Sequence, residues 1–185
     1  MKAFKALQAI AAAFMVFAAV ATSTAQAHNW ATHDYSADGF SISLPSDPQI
    51  NTQTDPTGAS MRSYTVGLGQ SVLMIGVMRF GAITPTKGPD AILQDGKNSA
   101  LAQSKTHLVS EKKIMLSGAP GLDFEAENET VHIRARIYIV GATTYQLVEG
   151  YPIGKPFDHA TDFFDSFQLI AEKPASKQDG GPSMK

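Results

Sequence analysis

Residues 130–151 read TVHIRARIYIVGATTYQLVEGY, and the fold is decided by how this stretch is paired. Two alternating runs, Thr130–Val140 and Thr143–Tyr151, flank Gly141-Ala142. A two-residue turn with Gly first suits type II′, whose twist matches that of two antiparallel strands. Such a turn brings together positions whose numbers sum to 283. Tyr138 then faces Tyr145, Arg136 faces Leu147, Arg134 faces Glu149 and His132 faces Tyr151. The opposite face carries Val131, Ile133, Ala135, Ile137 and Ile139 against Thr144, Gln146, Val148 and Gly150. That second face is expected to pack on the core. A one-residue slip would turn the isoleucines to solvent, so the register is strongly specified. An Arg134–Glu149 cross-strand pair is expected to support it by about 0.2–1 kcal/mol.

Similar signals lie on either side. Upstream, His107–Leu116 and Gly121–Glu127 read as strands around the Ser117-Gly118 turn, and Asn128-Glu129 turns the chain again. Asp90–Ser104 is the first good helix, opened by Pro89, with Ala91, Leu93, Ala100 and Leu101 near helical spacing. Gly96 weakens its middle. Met61–Leu68 and Ser71–Phe80 form a β-hairpin about Gly67–Gly69. In Tyr35–Leu44, the run after Asp38-Gly39 alternates strictly and points Phe40, Ile42 and Leu44 inward; Pro45 and Pro48 end it. His28–Asp34 is read as a short polar terminus and Asn51–Gly58 as a polar loop. Downstream, Phe157–Phe167 reads as a second helix with Phe157, Ala160, Phe163, Phe164 and Phe167 on one side; a short strand follows at Gln168–Ala171. Hairpin-linked strands with few helices predict an α+β domain: a central, mainly antiparallel sheet with two principal helices.

The ends of the chain differ from this core. Lys2 and Lys5 precede an apolar stretch, Ala6 to about Ala21, and the triplet Ala25-Gln26-Ala27. Small residues at the last and third-last positions are what signal peptidase accepts, so residues 1–27 are expected to be a signal peptide cut before His28. The apolar stretch is shorter than the roughly 20 residues a bilayer span needs. The expected product is exported, to the periplasm or outside the cell. Removing 27 of 185 residues leaves 158, one ordinary domain at 28–171 with a disordered Lys-, Gly-, Ser- and Pro-rich tail at 172–185. It holds 13 basic and 17 acidic residues, a net charge of −4 with histidine neutral, which disfavours nucleic-acid binding. The chain has no cysteine, so thiol catalysis, disulfides and a lipidated cysteine are excluded. No span is expected in the mature form, and a monomer is assumed.

Candidate chemistry is sparse. Arg134, Arg136, Tyr138, Tyr145 and Tyr151 make a polar, aromatic stripe. It reads either as the solvated face of a one-sided sheet or as a surface for an envelope protein or a small planar or anionic ligand, because guanidinium groups stack on rings and pair with carboxylates. His28, as a new N-terminus, would offer its amine and imidazole to copper; His33, His107, His132 and His159 are potential partners, and no spacing selects one. Asp123, Glu125, Glu127 and Glu129 alternate along one strand and are expected to share an exposed face that could attract a cation. Asp158, Asp162 and Asp165 are expected to form a solvated helix face. Met61, Met74, Met78 and Met115 are read as core fillers. Phosphate-loop, nucleophile-elbow and His-Glu-x-x-His patterns are absent, and no cofactor is implied. A hydrolase would need a pocket joining Ser, His and Asp. The expectation is a non-enzymatic accessory or binding domain; a copper or calcium protein and a hydrolase with an unrecognised site are the alternatives.

Four segments together carry a resemblance. They are Gly39-Phe-Ser-Ile-Ser-Leu-Pro45, Ser117-Gly-Ala-Pro-Gly121, Arg134-Ala-Arg-Ile-Tyr-Ile-Val-Gly141 running into Tyr145-Gln146, and Phe163-Phe-Asp-Ser-Phe167. The combination resembles small exported bacterial domains of the PsbP/Mog1-like type. It implies an α/β/α sandwich around an antiparallel sheet, and accessory or binding roles in place of catalysis. It transfers no functional motif to a numbered residue.

Overall fold

A computed structural model describes residues 30–56, 58–80, 87–155 and 160–170. The expected signal peptide, His28, His159, Asp158 and the tail at 172–185 lie outside them. The described strands are β1 (Ala31–Tyr35), β2 (Phe40–Leu44), β3 (Gln49–Thr54), β4 (Ser60–Leu68), β5 (Ser71–Arg79), β6 (His107–Leu116), β7 (Ala119–Glu127), β8 (Val131–Val140), β9 (Thr143–Pro152) and β10 (Gln168–Leu169). The helices are α1 (Pro89–Ser104) and α2 (Ala160–Asp165).

A seven-stranded sheet runs β3-β4-β5-β9-β8-β7-β6, and a three-stranded sheet runs β1-β2-β10. Every pairing is antiparallel. The architecture is thus the α+β class expected. The β8–β9 hairpin has the predicted register, with Tyr138 opposite Tyr145 and Arg134 opposite Glu149. Gly141 takes a φ of 58°, the left-handed value that a primed turn requires there. The Ser117-Gly118 turn joining β6 to β7 also has positive φ at both residues, 50° and 84°.

Both faces of the large sheet are covered. On one, α1 buries Leu93 and Ala100 against Leu122, Phe124, Ile133, Ala135, Ile137 and Val148. Gly96 earns its place in this helix: a Cβ there would sit 3.3 Å from Ile137 Cδ1, so the missing side chain lets helix and sheet approach closely. On the other face, β2 inserts Phe40, Ile42 and Leu44, all 0% exposed, and α2 adds Phe163 and Phe164 with Phe167 after it. Each such side chain contributes about 1.5–3 kcal/mol on burial. Ser43 N–H donates to Ser166 Oγ (3.0 Å), tying the end of α2 to the small sheet.

Three expectations about elements are corrected. The polar loop at Asn51–Gly58 is in large part strand β3, spanning Gln49–Thr54 and pairing along its full length with β4. Its residues are all exposed, so no hydrophobic alternation marks it. The polar terminus around His33 is strand β1, paired with β2. The one-sided sheet is two-sided, because β1-β2-β10 and α2 close over the face that the stripe occupies.

Candidate functional site

The residues expected to form a binding stripe fall into two groups. Tyr138 and Tyr145, each 4% exposed, are core. Tyr138 stacks on Phe167 (6.0 Å, 4°), and Tyr145 lies against Phe40 and Phe167 while its hydroxyl donates to the Asp38 carbonyl at 2.8 Å. Neither can meet a surface partner. The cause is the small sheet: β2 and the residues after α2 bury this half of the β8–β9 hairpin. Arg134, Arg136 and Tyr151 remain partly exposed.

The two arginines share Asp123. Arg136 Nε donates to its Oδ2 at 3.1 Å and Arg134 Nη2 to the same oxygen at 3.2 Å. Lys112 stands 3.6 Å away. Arg136 also donates to Asp165 Oδ1 (2.9 Å) and to the Phe164 carbonyl (3.2 Å). The Phe164 ring lies beneath both guanidinium groups, 4.8 Å from Arg134 Cζ and 5.1 Å from Arg136 Cζ. Arg136 is therefore a clasp between α2 and the sheet.

The acidic strand is likewise not a free face. Cross-strand pairing sets Asp123 against Arg136, Glu125 against Arg134 and Glu127 against His132. Asp123 is 4% exposed. His132 stacks on Tyr151 (5.0 Å, 21°), with Nδ1 3.4 Å from Glu127 and Nε2 3.9 Å from Glu125. Asp165 is solvent-exposed, as expected, and also pairs with Arg136. Among the described residues no three His, Asp or Glu side chains are arranged to hold a metal ion.

Arg134 and Glu149 are cross-strand neighbours, as the register requires, but no ion pair joins them. Arg134 turns to Asp123 instead. Glu149 is 1% exposed, and neither carboxylate oxygen has a hydrogen-bond partner; Arg134 Nε also lacks one. Burial pushes the Glu149 carboxyl up to about 7, partly opposed by the nearby Arg134 charge. Tyr151 is raised too, first by burial and then by the Glu149 charge. The result is a rim of Arg134, His132 and Tyr151 beside a buried acid with unused hydrogen-bonding capacity.

Sequence reasoning missed a second constellation. Asp38, 1% exposed, accepts from Arg79 Nη1 at 2.6 Å, from Arg62 Nη1 at 3.0 Å and from the Tyr64 hydroxyl. Burial opposes its ionisation, but these three donors outweigh burial and hold its carboxyl below the ordinary value. The cluster fastens the β1–β2 turn to β4 and β5. Asp38-Gly39 signals only a turn, and nothing local links it to arginines more than twenty residues away. Between α1 and the sheet lies an apolar cavity of about 30 Å³, bordered by Met61, Met78, Gly96 and Ile137 among others. That is about the share of liquid volume held by one water, far below the size of an organic-ligand pocket.

With this geometry in hand, known proteins place the fold. The structure aligns with cyanobacterial PsbP (CyanoP) from Synechocystis sp. PCC 6803 at a TM-score of 0.53 and 9% identity, over 81% of this chain and 98% of that one. The chain therefore has a PsbP-like fold, the α+β architecture its sequence segments resemble. Lower likenesses are to a protein of unknown function from Pseudomonas aeruginosa (TM-score 0.34, 10% identity, 66% of this chain and 82% of that one) and to a structure from Bacteroides thetaiotaomicron (0.33, 18%, 72% and 46%). No family model matches the chain, and no curated protein sequence matches it.

Proposed function

We propose that this chain is an exported accessory or binding domain without catalytic activity, which engages an envelope protein or a small ligand through the rim of Arg134, His132 and Tyr151. The carrying observation is the buried Glu149 carboxylate beside that rim, without a partner, next to an Arg134 Nε that also lacks one. Buried polar atoms are ordinarily satisfied, so a pair left open at a partly exposed edge favours an incoming group. A ligand offering both a donor and an acceptor suits the two.

Among the described histidines, His33 lies against Asp47, His107 against Glu127, and His132 against Glu125 and Glu127. Export rests on the Lys2–Ala27 pattern.

The test compares the mature protein with Tyr151→Ala and Arg134→Gln. Asp123 keeps Arg136 and Lys112 in the second variant, so folding should survive. Both variants are expected to melt within a few degrees of wild type and to lose capture of an envelope component or ligand. Equal capture by all three proteins would remove the site.

A further inference from the structure

Glu149 on β9 and Arg134 on β8 stand directly opposite each other and do not bond. Cβ atoms in such a cross-strand pair are about 4.5–5.5 Å apart, a gap that an arginine side chain spans. Yet Glu149 Oε1, Glu149 Oε2 and Arg134 Nε are all buried without a hydrogen-bond partner. Arg134 leans the other way, with Nη2 on Asp123 Oδ2 at 3.2 Å and Cζ 4.8 Å from the centre of the Phe164 ring. Asp123 is well supplied without it. The same oxygen accepts from Arg136 Nε at 3.1 Å, and Lys112 Nζ stands 3.6 Å away. The Arg134 side chain is 22% exposed, which leaves it room to change rotamer.

We propose that Arg134 is a two-position switch set by the proton on Glu149: it rests on Asp123 while Glu149 is protonated and turns across to Glu149 when that proton leaves. A neutral carboxyl can stay buried without a charged partner, whereas a buried carboxylate left alone is costly. Ionisation therefore strengthens the cross-strand position and leaves the Asp123 position as it was. Burial holds Glu149 protonated up to about pH 7, so both states fall within ordinary conditions. The other charged or titratable groups described nearby are Tyr151 on β9, His132 on β8, and Glu125 and Glu127 on β7. Arg136, Lys112 and Asp165 gather around Asp123 instead. From the other side, β5 sets apolar Leu73 opposite Glu149, and β2 covers this face with Phe40, Ile42 and Leu44. His132 can also take up a proton, but its contacts run to Glu125 and Glu127. The switch would regulate the rim proposed above for capture, since it withdraws the Arg134 guanidinium from Phe164 as pH rises. It is a property of the free protein, so it stands or falls separately from capture.

Nuclear magnetic resonance of the isotope-labelled mature protein tests the proposal at about pH 5 and about pH 9, on either side of the Glu149 value of about 7. The Glu149 carboxyl carbon reports its ionisation, and side-chain cross-peaks report where Arg134 lies. At the lower pH both arginines should show cross-peaks to the Phe164 ring, since Arg136 Cζ is 5.1 Å from it. At the higher pH Arg134 should lose its cross-peaks to Phe164 and gain new ones to Glu149, while those of Arg136 stay. Glu149→Gln keeps His132 and mimics the protonated acid, so in this variant Arg134 should remain on Phe164 at both pH values. Arg134 cross-peaks to Phe164 that persist once Glu149 is ionised would overturn the proposal. So would an Arg134 that leaves Phe164 without reaching Glu149, a Glu149 carbon that does not titrate between the two values, or the same movement in Glu149→Gln. The first three outcomes are seen in wild type alone, so they decide the matter even where the variant folds poorly.

Discussion

At Glu149 a single carboxyl sets a pH dependence. Its folded value is about 7 against an ordinary 4.5, so between those values the folded protein holds a proton that the unfolded chain has released. Stability from this group is therefore full below about pH 4.5 and is lost as pH rises through 7. The loss is on the order of 3 kcal/mol. Glu149→Gln should flatten the curve over that interval and leave the variant more stable than wild type above it. Urea unfolding at a series of pH values measures both. Gly121 makes a second residue-scale prediction. A Cβ there would lie 2.5 Å from Tyr138 Cδ1 and 2.7 Å from the Ile137 carbonyl oxygen. The rigid, buried ring cannot yield, so Gly121→Ala should destabilise by roughly 1–3 kcal/mol, read from the same unfolding curves. Neither effect was legible in sequence. Glu149 looked like the partner of Arg134, and pairing did bring the two together. What sequence could not contain is Asp123, which arrives from β7 and takes the guanidinium away.

At the scale of elements, Arg136 is the joint between α2 and the sheet, through Asp165, the Phe164 carbonyl and Asp123. Arg136→Ala should cost about 2 kcal/mol, since it removes one of the donors of a buried carboxylate. Hydrogen exchange should show where: the amides of α2 and β10 lose protection, while those of α1 and β4 keep theirs. The elements themselves were readable to very different degrees. The β8–β9 register is marked by strict alternation, the β4–β5 hairpin by its glycine turn and apolar second strand, and α1 by Pro89 at its start, and all three are found where expected. Strand β3 was missed because an edge strand with every side chain exposed has no apolar face to betray it. Strand β1 was missed for a similar reason, being mostly exposed over Ala31–Tyr35.

For the whole molecule, the proposed export predicts a processing event. The protein recovered from cells should lack residues 1–27 and begin at His28, as read by N-terminal sequencing and intact mass of the periplasmic fraction or culture medium. Recovery of the full chain in the cytoplasm would refute the localisation. Among the described residues no helix is long and apolar enough to cross a membrane. The sequence by itself determined the α+β class, the β8–β9 register and the apolar face of the large sheet, because alternation and turn chemistry are local properties of neighbouring residues. The tertiary structure alone decided which polar face stayed open. That choice depends on where β1, β2 and α2 dock, on contacts between segments more than a hundred residues apart such as Tyr145 to Asp38. Docking turned two tyrosines of the expected site into core and gave both arginines to Asp123. What it left at the surface is a rim beside an unsatisfied acid.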